Sequence, residues 1–118
     1  MFAAGTDTTF IVLDWAMTEL IMNPRAMRQA QAEVRKIIPK REQVSEKDLH
    51  QFYYLKAIIK ETFRLHPRLG AFAKESIRDV TIDEYEIPAK IRVFINVWEI
   101  GRDPKSWESR RIQSEIAL

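Results

Sequence analysis

The chain has 118 residues, 46% of them apolar and 31% charged, which suits a folded domain or part of one and excludes a disordered tail. Its 19 Lys and Arg interleave with 17 Asp and Glu, so the net charge of +2 builds no basic stripe and excludes nucleic-acid binding. There is no cysteine, which excludes disulfides, thiolate catalysis and Cys-based zinc sites, and His50 and His66 are too isolated to suggest a metal site.

No apolar run is long enough to cross a bilayer, and no charged segment precedes a cleavable signal, so the chain itself is expected to carry no membrane anchor. From Met1 to Met22 the sequence predicts one helix, with Phe10, Leu13, Met17 and Leu20 at helical spacing. No capping residue precedes Phe2, so the helix is expected to have been entered midway. Asn23 is a natural N-cap and Pro24 a first-turn residue for a second helix to about Ile38, whose inner face is Met27, Ala30, Val34, Ile37 and Ile38. Pro39 stops it.

Ser45 with Asp48 three residues later has the form of a capping box and predicts a short helical turn around Leu49. A third helix is expected from Tyr53 to Leu65, turning Leu55, Ile58, Ile59, Thr62 and Phe63 toward a core before Pro67. From Glu75 to Ile95 the pattern changes to short β-branched runs at Ile77, Val80 to Ile82, Ile87 and Ile91 to Ile95, with turns at Asp83-Glu84 and Pro88 to Lys90. A last helical turn is predicted between Val97 and Gly101, ahead of Arg102-Asp103-Pro104. The fold class is therefore α+β, mainly α: helices followed by small β-hairpins.

Three segments then point to a family. AGTDTT (Ala4 to Thr9), KETFRLHP (Lys60 to Pro67) and FINVWEIGRDPKSW (Phe94 to Trp107), with RDVTIDEYEIPAK (Arg78 to Lys90) between the last two, have the order and spacing of cytochrome P450 enzymes. The chain resembles a plant microsomal member, from the distal helix to just before the haem-binding loop. Residues 1–108 are identified as a partial domain of that family and 109–118 as a divergent tail. The resemblance implies a monooxygenase that activates O2 at haem b to oxidise a small apolar substrate, taking NADPH electrons through a flavoprotein reductase at the endoplasmic reticulum membrane.

The same resemblance assigns roles. Asp7 and Thr8 are similar to the acid and hydroxyl that relay and donate protons on the distal side, where the pattern locally opens the helix. Ala4 and Gly5 let the cofactor side approach closely. Glu61 and Arg64 are similar to the family's buried pair beneath the haem, completed there by an arginine from a later segment. Lys74 stands where an arginine usually pairs a haem propionate, and keeps the charge without the bidentate fork. His66 is structural in the motif rather than an iron ligand.

Some positions depart from the pattern. Arg68 and the Ala73-Lys74 pair replace a second proline and a Pro-Arg, and Glu84 replaces a turn residue that is often glycine. The haem loop with its axial cysteine is expected downstream of Trp107, so no metal ligand is assigned here and the chain is expected to be inactive by itself. A non-catalytic helical interaction fragment, or the product of a pseudogene, stays open as the alternative.

Overall fold

The computed structural model describes residues 2–39 and 43–108. It is helix-rich with small antiparallel strands, as the sequence implies. In chain order come α1 (Phe2–Met22), α2 (Pro24–Ile37), a 3-10 turn (Glu46–Gln51), α3 (Tyr53–Leu65), β1 (Phe72–Glu75), β2 (Val80–Ile82), β3 (Tyr85–Ile87), β4 (Arg92–Ile95) and the short α4 (Val97–Ile100). Among the described residues, no helix is long and apolar enough to cross a membrane.

Three helices share one core. Leu20 of α1, Ala26 and Ala30 of α2, and Ile58 and Leu65 of α3 are buried together, with Met27 and Tyr54 packed against them. The alanines matter because small side chains let the helix backbones approach closely. The buried Thr62 hydroxyl donates to the Ile58 carbonyl at 2.9 Å, which satisfies a polar group set among apolar side chains.

The inner faces differ from the periodic stripes in informative ways. On α1, Phe10, Leu13 and Met17 are 67%, 57% and 51% exposed, while Ala16 and Leu20 are buried. Leu20 thus ties the predicted stripe to the core, and Ala16, not Phe10, Leu13 or Met17, is buried beside it. On α3, Ile58 and Thr62 are buried as expected, but Phe63 is 53% exposed and Leu65 takes its place in the core.

The helix ends are tied by carboxylates. Phe52, at the N-cap of α3, makes no side-chain capping bond. Glu33 of α2 supplies the cap instead, its two carboxylate oxygens accepting from the N–H groups of Tyr54 at 2.8 Å and Leu55 at 2.9 Å. Asn23 does occupy the N-cap position of α2, but its side chain makes no cap bond there. Its amide donates back to the Glu19 carbonyl at 2.9 Å, bracing the corner between α1 and α2. Ser45 and Asp48 form the reciprocal capping box read from the sequence.

The strands make two separate two-stranded antiparallel sheets, β1 with β4 and β2 with β3. Phe72 faces Ile95 and Lys74 faces Val93 in the first, and Val80 faces Ile87 in the second. Asp83 and Glu84 link β2 to β3 with φ of 46° and 69°, as a type I′ hairpin turn demands, so Glu84 does sit where glycine is easiest. Ile77, read from its side chain as part of a strand, lies outside every strand and is 97% exposed.

One side chain in the core is poorly served. The Tyr54 hydroxyl is buried with no hydrogen-bond partner among the described residues. Burial pushes its phenol pKa up, Arg25 opposes that shift and Glu33 adds to it. Because an unsatisfied buried hydroxyl costs about 1–3 kcal/mol, Tyr54→Phe should leave stability unchanged or raise it. Urea unfolding followed by circular dichroism checks this, and a loss above about 1 kcal/mol would point to a partner for the hydroxyl.

Candidate active-site face

On α1 the A-G-T-D-T-T segment forms regular helix, without a break at the position where the resemblance implies an opening. The Thr9 hydroxyl donates to the Gly5 carbonyl at 2.8 Å, and the Thr8 hydroxyl donates to the same oxygen at 3.3 Å. Two hydroxyls on one carbonyl compete with the helix's own N–H donor for its lone pairs. The longer Thr8 contact is the weaker of the two.

Thr8 is half-buried and Asp7, beside it, is exposed. A Cβ built on Gly5 would meet nothing within 4 Å, so no described residue requires a glycine there. Ala4 lies in the first turn of α1, and its side chain falls outside what is described.

Thr8 opens onto a groove between α1 and α3. Thr8, Thr9, Val12, Leu13 and Ala16 form one wall and Ile59 and Phe63 the other, enclosing about 440 Å³. The lining is apolar except for the two hydroxyls at its end. Such a surface suits a flat apolar ring system with a polar edge. Neither Asp7 nor Lys74 lines it.

Glu61 and Arg64, three residues apart on α3, form a true fork. Arg64 Nε donates to Glu61 Oε2 at 2.7 Å, and Nη2 donates to Glu61 Oε1. Only 8% of the Arg64 side chain and 15% of Glu61 is exposed, so this is a buried pair and not a surface one. The resemblance implies a third partner for the pair, an arginine from a later segment. Here Arg64 finds further partners inside the chain: Nη1 donates to the Gly101 carbonyl, and the guanidinium lies 4.6 Å from the Trp107 ring centroid.

Gly101 is needed at that contact. A Cβ there would run into the Arg64 carbonyl, so only glycine allows the loop after α4 to press against the end of α3. Arg102 fastens the same junction from the other side, donating to the Leu65 carbonyl while stacking 3.3 Å over Trp98. Trp107 is held in turn by its indole N–H, which donates to the Ile100 carbonyl at 3.0 Å.

Lys74 stands exposed on β1, away from both of these sites in the residues that line or bond them. His66 is fully engaged. Its Nε2 is hydrogen-bonded to Glu19 Oε1 at 2.8 Å, and its ring stacks on Trp15 with centroids 4.0 Å apart and planes 8° from parallel. This fits the structural role read from the motif. Sequence reasoning missed Trp15, Glu19, Gly101, Arg102 and Trp107 as site-building residues. The last three do lie in the FINVWEIGRDPKSW segment, and the spacing of Trp15 and Glu19, one turn apart on α1, hinted at a shared face.

The fit to haem follows from the donor set. The groove and its two hydroxyls could form one apolar wall for the macrocycle. No cysteine occurs in the chain, His66 is committed to Glu19 and Trp15, and His50 is exposed on the 3-10 turn, so these residues provide a wall and no thiolate ligand.

The comparisons with known proteins bear on the family. The Cytochrome P450 family model matches residues 1–109. Cytochrome P450 71AP13 of Prunus mume is 61% identical over 109 residues, which are 92% of this chain and 21% of that protein. Cytochrome P450 71A1 of Persea americana is 60% identical over 110 residues, 92% of this chain and 22% of that protein. The tryptamine 5-hydroxylase of Oryza sativa subsp. japonica is 49% identical over 110 residues, 92% of this chain and 21% of that protein. The chain thus spans about a fifth of the length of these curated relatives. A zebra fish cytochrome P450 solved with abiraterone superposes with a TM-score of 0.89 at 26% identity, covering 99% of this chain and 29% of that one. With the family pattern matched from the first helix to the loop after α4, and the backbone matched throughout, the chain belongs to the cytochrome P450 family.

Proposed function

We propose that this chain is the part of a plant monooxygenase that carries the distal proton-handling residues and the scaffold of the Glu61–Arg64 pair. The observation that carries the reading is Thr8, half-buried at the polar end of the apolar groove between α1 and α3, with exposed Asp7 next to it. Haem, when bound, supplies the reductive activation of O2. The chain's own residues exclude water, move protons and hold the scaffold.

Val12, Leu13, Ala16, Ile59 and Phe63 keep water away from one side of the reaction space. The Thr8 hydroxyl proton rests on the Gly5 carbonyl at 3.3 Å, and by turning about its C–O bond the hydroxyl presents it to a reacting oxygen. Asp7, facing solvent, takes protons from water and returns them toward Thr8, a general-acid role suited to a carboxylate near bulk water. Ala4 and Gly5 leave the backbone low enough for the cofactor side to come close. Lys74 offers a positive charge to a propionate, and Glu61 with Arg64 keeps the opposite side of the scaffold rigid. The electrons come from NADPH through a flavoprotein reductase. The substrate class is a small apolar molecule, and the setting is the endoplasmic reticulum membrane, as for plant microsomal members of the family.

Replacing the matched segment of the rice tryptamine 5-hydroxylase with residues 1–109 of this chain tests the reading. The chimera should load haem, show the red-shifted reduced carbon monoxide band of a thiolate-ligated iron, and hydroxylate tryptamine. Failure to load haem in a soluble, folded chimera would contradict the proposal.

A further inference from the structure

His66, the C-cap of α3, is gripped by two α1 residues one helical turn apart. Trp15 lies flat against its ring, and the Glu19 carboxylate accepts from its Nε2. Only 12% of the His66 side chain and 13% of that of Glu19 is exposed. Glu19 Oε2 also accepts from Asn23 Nδ2 at 3.4 Å, so this carboxylate is fixed from the α2 side as well.

The apolar contacts between α1 and α3 are non-directional. Leu20, Ile58 and Leu65 share one buried apolar cluster, whose non-directional contacts resist sliding and small rotations less sharply than a directional bond does. A stacked ring joined to a directional hydrogen bond tolerates neither. Register matters at both ends of the contact. Thr8 sits two turns before Trp15 on α1, and Arg64 sits two residues before His66 on α3.

We propose that Trp15 and Glu19 are positioning residues, which clamp His66 and so fix the rotation and axial register of α1 on α3. The clamp holds Thr8 opposite Ile59 and Phe63 while Arg64 reaches Gly101. Its value to the reaction rests on the monooxygenase reading above; its existence does not.

Two measurements test it. In the 118-residue chain, proton NMR sees only two histidines, His50 and His66. His66 ring protons over the indole should lie upfield of those of exposed His50, by the ring current of Trp15. Trp15→Leu and Glu19→Ala should collapse that difference, while Glu19→Gln, which keeps an acceptor, should retain it. Coincident His50 and His66 signals in the parent chain, or an unchanged difference in Glu19→Ala, would overturn the clamp.

In the rice hydroxylase carrying residues 1–109, haem-loaded Trp15→Leu and Glu19→Ala should form several-fold less product per NADPH consumed. Trp15→Phe and Glu19→Gln should stay near the parent. A merely structural role would lower the yield of folded protein and leave that ratio alone, and a parental ratio in folded Trp15→Leu and Glu19→Ala would refute the positioning role. If Thr8→Val left the ratio unchanged, the role given to Thr8 would fail, while the NMR result would still decide the clamp.

Discussion

Arg64→Ala is expected to destabilise the chain by about 3–5 kcal/mol, the cost of leaving one partner of a buried ion pair uncompensated. Glu61, only 15% of whose side chain is exposed, would lose both hydrogen bonds to the guanidinium. The Gly101 carbonyl and the Trp107 face would lose their cation as well. Arg64→Lys should also fall well short of the parent, because an ammonium cannot bond both carboxylate oxygens and a carbonyl in one plane. Replacing both Glu61 and Arg64 by Leu should recover much of the loss, since no charge is then stranded. Urea unfolding monitored by circular dichroism measures all three. A shift below about 1 kcal/mol for Arg64→Ala, the size found for exposed pairs, would mean the pair is solvated.

The helices were legible because their signals are local. Asn23-Pro24, Pro39, the Ser45–Asp48 box and Pro67 mark boundaries that follow from φ restriction and lost N–H donors, and these need no tertiary information. The family residues on α1 and α3 were legible for a different reason: they come as fixed short strings. What sequence could not give was the rotation of each helix. Of the predicted stripe on α1 only Leu20 is buried, with Ala16 beside it, while Phe10, Leu13 and Met17 are more than half exposed.

The same limit applies to partners far apart in sequence. Glu33 caps α3 from 21 residues away, Glu19 reaches His66 across 47, and Arg64 reaches Gly101 across 37. Each acceptor looks like an ordinary polar surface residue or a bare carbonyl until the chain is folded. The strand β1 was missed because Phe72 to Glu75 has a single β-favouring residue, and its pairing with β4 comes from register rather than propensity. The tail at 109–118 lies outside the described residues, as do Met1 and 40–42.

Thr8→Val, made in the rice hydroxylase carrying residues 1–109, probes the proton-handling role at its source. Valine keeps the size and the β-branch of threonine, so the groove walls and α1 should persist, and haem content should match the parent. The change removes the hydroxyl proton placed at the groove's half-buried edge. Loss of a donor aimed at developing charge typically raises a barrier by about 2.7–4 kcal/mol, a factor on the order of 10²–10³ in rate. Unproductive release of reduced oxygen as peroxide then competes with product formation. The measurement is 5-hydroxytryptamine formed per NADPH consumed, with peroxide counted alongside. If Thr8 donates as proposed, that ratio collapses and peroxide rises to match in a folded, haem-loaded variant; an unchanged ratio would contradict the role of Thr8.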